Sequence, residues 1–458
     1  MASVSGVRGI VGASLTPEVI ARFCGALAGW LREQSGGSGE ASVVVGRDGR
    51  EGGEVAASLA IAALRSAGMR VIDLGVATTP TVGFMVVRHG AAGGLALTAS
   101  HNPAEWNGLK PITSAGSAPS LADATEILSR FHAGDTRWAA HADLGGLDGD
   151  DSAAHAHVAA VLQAIGPVCP AETIISRGFR VALDSVNASG SLAGAMLLEA
   201  LGCSVERVAC DGSGVFPHTP EPTRENLTSL SAVAKDAGAD VSFAQDPDAD
   251  RLAVVDETGR YIGEEYTLVL AATALLGTGG QGATLAANLS TSRMIDDVAA
   301  ALGATVVRTA VGEANVVTGM RAHGCVLGGE GNGGVIWPAV VDIRDSLGAM
   351  ALVLALMAQR EEPLSAIVDA MPSYAIVKRK AAIRDGLADA AIAALKQRYA
   401  GDAMDVQDGL RVDFADPPSW VHVRASNTEP ILRVIAEAPD SAAADRLADE
   451  VEGVLAAL

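Results

Sequence analysis

Short apolar runs alternate with helical patterns along most of the chain, and this alternation constrains the fold more than any other feature. Residues 41–46 read as a buried strand, 54–67 as a helix, 70–74 as a strand, 81–89 as a helix and 95–98 as a short strand. Repeated strand–helix units require helices layered on a sheet, an α/β architecture. The order returns with strand 179–184, helix 189–201, strand 203–209, helix 227–237 and strand 240–244. It returns again with helix 265–276, strand 283–288, helix 292–302 and strand 305–309. After 363–371 the pattern changes to strands at 374–379, 409–414, 420–424 and 431–437 with helices at 387–399 and 441–455, a small α+β unit. The segment 139–152, rich in Gly, Asp and Ala, reads as a linker. The expected domains are 1–150, 151–256, 257–370 and 371–458, the first three similar to one another in element order.

Composition limits the partners. With 49% hydrophobic residues in 458, each domain can bury a core. No apolar run approaches the ~20 residues that span a bilayer. The N-terminus lacks the basic and apolar regions of a secretory signal. Five cysteines, Cys24, Cys169, Cys203, Cys210 and Cys325, are odd in number and lack zinc spacing. They read as free thiols in a reducing cytoplasm. A net charge of −21 argues against nucleic acid and anionic membranes. An anionic small substrate is still allowed, because exposed charges are screened within ~8–10 Å and local arginines and lysines act at short range. Monomer and homodimer are both open.

Four motifs carry chemistry. Thr98-Ala99-Ser100-His101-Asn102-Pro103 places a small nucleophile between a strand-like run and a Pro-bounded turn. The plain alternative is a turn serine capping a backbone N–H. A hydrolase serine is disfavoured, since no G-x-S-x-G elbow surrounds it. His101 is adjacent in sequence and need not face Ser100. Asn107-Gly108-Leu109-Lys110 reads as a turn that brings a lysine near the serine. Lys110 could move a proton if its neighbours lower its pKa, and is otherwise a surface lysine. Asp246, Asp248 and Asp250 leave a strand at alternate positions, so three carboxylates can converge on one hard cation. An EF-hand is excluded by Arg251, which stands where the loop needs Gly, and by strand-like flanks; a solvated acidic turn is the other alternative. Gly328–Gly334 reads as a flexible loop that presents Glu330 and Asn332 on exposed backbone, suited to sugar hydroxyls. Arg424-Ala425-Ser426-Asn427-Thr428-Glu429-Pro430, between two strands, forms an anion cradle or a polar hairpin. Gly277–Gly282 matches G-x-G-x-x-G but follows a helix, the reverse of the nucleotide-binding order, and reads as a loop.

Together these motifs resemble the α-D-phosphohexomutase superfamily over essentially the whole chain. That family has a T-A-S-H-N-P phosphoserine loop, a D-x-D-x-D-R metal loop, a G-E-x-x-G sugar loop and an R-x-S-x-T-E-P phosphate loop, in this order. Residues 5–9, 46–48 and 311–313 also look like family landmarks. The resemblance implies four domains, with mixed sheets between helices, around a central cleft. It implies a mutase that interconverts hexose(amine) 6-phosphate and 1-phosphate through phospho-Ser100 and a hexose 1,6-bisphosphate. Asp246, Asp248 and Asp250 would hold Mg²⁺ with the phosphoserine, and Ser100, Lys110, Arg251 and His101 would form the catalytic group. Glu330 and Asn332 would take sugar hydroxyls; Arg424, Ser426, Asn427 and Thr428 would take the phosphate that is not reacting. Arg8 and Arg47 would add positive charge. Asn332 and Gly334 stand where many members have Ser and His, and this form looks most like the archaeal-type phosphoglucosamine mutase branch. Phosphomannomutase or phosphoglucomutase activity, a metal-dependent sugar phosphatase and a phosphosugar-binding protein without turnover are the rival expectations.

Overall fold

The computed structural model describes residues 2–36, 41–383, 386–425 and 431–456. Its strands form four sheets. The first has the order Ala2–Ser3, Gly6–Ile10, Trp106–Thr113, Gly93–Leu97, Ser42–Arg47, Arg70–Val76, Leu147–Gly149. Its central strands are parallel and buried on both faces, which explains their continuous run of Val43, Val44 and Val45. Helices Pro17–Gln34 and Gly53–Ser66 cover one face, and Thr79–His89 covers the other.

The second sheet is Leu252–Asp256, Val241–Gln245, Arg180–Asp184, Ser204–Ala209. The third is Thr305–Thr309, Thr284–Asn288, Leu327–Glu330, Gly334–Ile336. In each of the three sheets one hairpin joins a parallel strand to an antiparallel neighbour: Gly93–Leu97 with Trp106–Thr113, Val241–Gln245 with Leu252–Asp256, and Leu327–Glu330 with Gly334–Ile336. The connection of that hairpin carries a motif each time: residues 98–105, 246–251 and 331–333. The fourth sheet is wholly antiparallel, and its hairpin Ser419–Ala425 to Ile431–Ala438 leads into and out of residues 426–430, which lie outside the described residues.

The C-terminal sheet has its own core beneath helices Ala388–Arg398 and Ser441–Ala456. The second and third units share a continuous core. Helix Ser346–Arg360 joins them: every residue from Ser346 to Ala358 is buried, so it has no polar face and no amphipathic period.

Several expectations are corrected. Residues 139–152 are not a linker. Ala139 and Gly145 donate backbone N–H groups to Ser66 and Arg65, and Leu147–Gly149 adds a parallel edge strand. All three strand residues are exposed, so no apolar pattern announces them. Asn107–Lys110 is no turn but part of strand Trp106–Thr113. Gly328 and Gly329 lie in strand Leu327–Glu330, not in a flexible loop. Glycine there answers crowding, since a Cβ on Gly329 would meet the Gly334 carbonyl at 2.3 Å. Among the described residues no helix is long and apolar enough to cross a membrane. The five cysteines are free, and all but Cys210 are buried.

The segment after Gly334–Ile336 ties the third unit to the first. Val341 and Ile343 enter the core beside Val82, Met85 and Val86. Ile343 is fully buried and packs where Gly83 has no side chain. Ile343→Ala is expected to cost about 3 kcal/mol, read as a lower urea midpoint at unchanged slope. An unchanged midpoint would show that this contact does not bind the two units together.

Candidate active site

Ser100 follows strand Gly93–Leu97 with φ +49°, a left-handed conformation rare outside glycine. Arg50 holds it there. The fully buried guanidinium donates to the carbonyls of Ser100 (2.5 Å) and Trp106 (2.7 Å) and to Asp48 Oδ2 (2.7 Å). Its face lies 5.4 Å from the centre of the Phe216 ring. The Ser100 N–H donates to Thr98 Oγ1 at 2.8 Å. Ser100 Oγ donates to Asp246 Oδ2 at 2.7 Å and lies 3.4 Å from His101 Nδ1. Burial, then Arg251 and Arg8, push the His101 imidazole down to about 4, so it is neutral at pH 7.

Asp246, Asp248 and Asp250 occupy the connection of the Val241–Gln245 hairpin. All are buried, and one oxygen from each lies within 4.8 Å of the others. Every other unit of the α/β body grips this loop. Thr79 Oγ1 donates to Asp248 Oδ2 (2.7 Å) and Thr79 N to the Asp248 carbonyl (3.0 Å). Ser189 Oγ donates to the Pro247 carbonyl and Ser346 Oγ to the Ala249 carbonyl, each at 2.7 Å. Burial, with Asp248 and Asp250 nearby, pushes the Asp246 carboxyl well up. Asp250 goes the other way: burial opposes its charge, but Arg344, Lys110 and Arg251 together outweigh it and pull its pKa down. Asp248 Oδ1 and Asp250 Oδ1 have no hydrogen-bond partner among the described residues. Three converging buried carboxylates, two of them with an oxygen that has no donor among the described residues, fit a hard divalent cation such as Mg²⁺.

Lys110 Nζ lies 3.0 Å from Asp250, 3.8 Å from Asp248 and 3.9 Å from Glu313. Burial works against its charge, yet Asp250, Glu313 and Asp248 outweigh burial and raise its pKa. The neighbours therefore hold Lys110 as an ammonium, opposite to the lowering that a proton-accepting lysine requires. Arg251 faces the cavity 3.9 Å from Asp250.

A cavity of about 300 Å³ opens where the first three units meet, lined by Arg8, Lys110, Arg251, Glu313, Glu330 and Asn332 among others. Glu330 ends strand Leu327–Glu330. Its Oε1 accepts from Asn288 Nδ2 (2.8 Å) and Gly312 N (3.2 Å), and its Oε2 from Arg344 Nη1 (2.6 Å). Asn332 Oδ1 accepts from Gly334 N at 3.2 Å. Gly331 must lack a side chain, because a Cβ there would lie 2.0 Å from Glu265 Oε2. Arg424 is half-buried on the C-terminal sheet, its Nε without a hydrogen-bond partner among the described residues, and it is not among the described residues that line the cavity. Ser426, Asn427 and Thr428 lie outside the described residues.

The structure thus brings Ser100, His101, Lys110, Arg251 and the three aspartates together, with Arg8, Glu330 and Asn332 on the adjoining wall. Sequence reasoning missed Arg50, Thr79 and Arg344. Arg50 stands two residues beyond Asp48, the end of the Gly46-Arg47-Asp48 landmark, and that second arginine was the available signal. Arg344 sits between Asp342 and Asp345 and reads as one more surface ion pair.

Comparison with known proteins gives concordant matches. Residues 2–138, 156–259 and 263–374 match phosphoglucomutase/phosphomannomutase alpha/beta/alpha domains I, II and III, and 374–454 match the C-terminal domain. The chain is 35% identical to a probable phosphoglucosamine mutase of Methanopyrus kandleri, covering 97% of this chain and 95% of that one. It is 36% identical to a phosphoglucomutase/phosphomannomutase of Thermococcus kodakarensis, covering 94% and 93%. A crystal structure of a phosphoglucomutase/phosphomannomutase family protein from Burkholderia thailandensis superposes with a TM-score of 0.83 at 26% identity, over 100% of this chain and 98% of that one.

Proposed function

Since this chain belongs to the phosphoglucomutase/phosphomannomutase family and is a phosphohexomutase, an isomerase that transfers phosphate within one molecule, we propose that it converts glucosamine 6-phosphate to glucosamine 1-phosphate through phospho-Ser100 and a 1,6-bisphosphate. The observation that carries this reading is the Ser100 hydroxyl 2.7 Å from Asp246, inside a carboxylate triad with two unpartnered oxygens. The name of the Methanopyrus relative supports the amino sugar. The Thermococcus relative, equally similar, supports glucose or mannose phosphates as the second reading.

Phosphoserine carries about −1.5 to −2 charges at neutral pH, so attack by a sugar hydroxyl needs that charge offset. Lys110 and Arg251 supply it from this chain, and catalysis is mainly positioning and electrostatics. In the first half-reaction the sugar O1–P bond forms as the Ser100 Oγ–P bond breaks, and the sugar's hydroxyl proton passes to the freed serine oxygen. In the second half-reaction, after the bisphosphate has turned end for end, the Ser100 Oγ–P bond re-forms as the O6–P bond breaks, and the serine's hydroxyl proton passes to O6. We assign Lys110, held as an ammonium, to charge offset beside these oxygens, His101 to the serine's side of the site, and Glu330 and Asn332 to the sugar hydroxyls. Asp246, Asp248 and Asp250 would hold Mg²⁺, which when bound neutralises phosphoryl charge. Arg8 adds positive charge, and Arg424, Ser426, Asn427 and Thr428 hold the second phosphate. We read the domains as 1–150, 151–256, 257–370 and 371–458 and the setting as cytoplasmic.

The test is a coupled assay with glucosamine, glucose and mannose 6-phosphates, primed with the matching 1,6-bisphosphate. Formation of the 1-phosphate is expected, fastest with glucosamine; steady release of inorganic phosphate without isomer would favour a phosphatase. Removing the cation with EDTA is expected to cut turnover at least about 100-fold, and added Mg²⁺ should restore it. Undiminished turnover after chelation would reject the carboxylate cage.

A further inference from the structure

Arg344 lies between the sugar-facing wall and the phosphoryl-facing wall and has been given no part so far. Its Nη1 donates to Glu330 Oε2 and its Nη2 to Asp250 Oδ2, each at 2.6 Å, and its Nε lies 3.0 Å from Glu313 Oε2. Three carboxylates from three separate segments thus share one planar group. Arg344 is 8% exposed, and its neighbours in sequence are all tied down. Asp342 pairs with Arg321 at 2.7 Å, and Ile343 is locked in the first unit's core. Asp345 caps helix Ser346–Arg360 by accepting from Leu347 N and Gly348 N, both at 3.0 Å. Ser346 holds the acidic loop through the Ala249 carbonyl. The stem of Arg344 also needs its passage cleared: a Cβ on Gly334 would stand 2.2 Å from Arg344 Cδ.

We propose that Arg344 is a positioning residue that sets the orientation of Glu330 relative to Asp250, and so places the sugar's hydroxyls in register with the phosphoryl centre. This rests on the reading above that Glu330 binds sugar hydroxyls. The guanidinium is suited to the task because its fork reaches two carboxylates at fixed angles, which a lysine's single ammonium cannot do. Glu330 has its other oxygen fixed by Asn288 and Gly312, and Arg344 at 2.6 Å is the closer of the two donors to Oε2, the second being Asn332 Nδ2 at 3.5 Å. Losing it frees Glu330 to rotate and leaves the sugar selected less strictly.

The test is a double-mutant cycle on the full-length enzyme with Arg344→Gln, Glu330→Gln and both together. Each single change is expected to lower kcat/KM by about 10- to 100-fold, and the double change is expected to be no worse than Glu330→Gln alone. Discrimination between glucose 6-phosphate and its C4 epimer galactose 6-phosphate should fall alike in all three, which a merely structural loss would not produce. Arg344→Lys should keep the impaired discrimination despite retaining the charge. If Arg344→Gln does not fold, Arg344→Lys carries the same comparison. The cycle is repeated by calorimetry in the Ser100→Ala background, reading the dissociation constant for hexose 6-phosphate without turnover. Effects of the two substitutions that multiply, unchanged discrimination in Arg344→Gln, or full rescue by lysine would each overturn the proposal. A wild-type enzyme with no isomerase turnover would instead overturn the mutase reading, while the binding cycle would still judge Arg344.

Discussion

Ser100→Ala is expected to lower isomerase turnover by on the order of 10⁴-fold or more, because in the proposed route this hydroxyl is the group that carries the phosphoryl. The hydroxyl is buried, and its hydrogen-bond contacts are with Asp246 and the His101 ring. Replacing it by a methyl-bearing residue removes the acceptor and leaves the acidic loop in place, since that loop is held by Thr79, Ser189 and Ser346. The variant should therefore fold normally and still bind sugar phosphate. Mass spectrometry supplies the second readout. Wild-type enzyme exposed to a hexose 1,6-bisphosphate should gain the mass of one phosphoryl group on the peptide containing Ser100, and the variant should not. Turnover within tenfold of wild type, or label on another residue, would rule out the phosphoserine route.

Arg50→Met should destabilise the protein by about 3–5 kcal/mol, the usual result of removing one partner of a buried ion pair. Asp48 would be left buried without its counter-charge, and the carbonyls of Ser100 and Trp106 would lose their donor. Those same carbonyls hold the left-handed turn at Ser100. Activity should consequently fall further than the unfolded fraction explains, even under conditions where the variant is mostly folded. Chemical denaturation and turnover measured on the same sample separate the two effects. A stability change below about 1 kcal/mol, the range of ordinary surface substitutions, would show that the Arg50 contacts are dispensable.

The legible parts of this chain are those where a local pattern has a single physical cause. Parallel strands buried on both faces write themselves as Val43-Val44-Val45, and alternate carboxylates at 246, 248 and 250 are too costly to place together without a counter-charge. Helix Ser346–Arg360 was invisible for the opposite reason, having no polar face to give it a period. The edge strand Leu147–Gly149 is exposed throughout and owes its conformation to Arg70–Val76 rather than to its own residues. Arg50, Thr79 and Arg344 each reach at least one group that lies between 50 and 169 positions away in the chain. Apart from Arg50, which stands two residues beyond Asp48 in a landmark segment, nothing in their immediate surroundings distinguishes them from surface residues. For Lys110 the sequence located the residue but not its electrostatics. Only the assembled carboxylates reveal that it is kept protonated.

Each candidate-site segment of the α/β body spans the same gap, between a parallel sheet and the antiparallel strand that flanks it. What folds and what reacts are thereby written in different stretches of sequence. The layers can persist while a few residues at a bend are exchanged, so a descendant could acquire a new preferred sugar without rebuilding its interior.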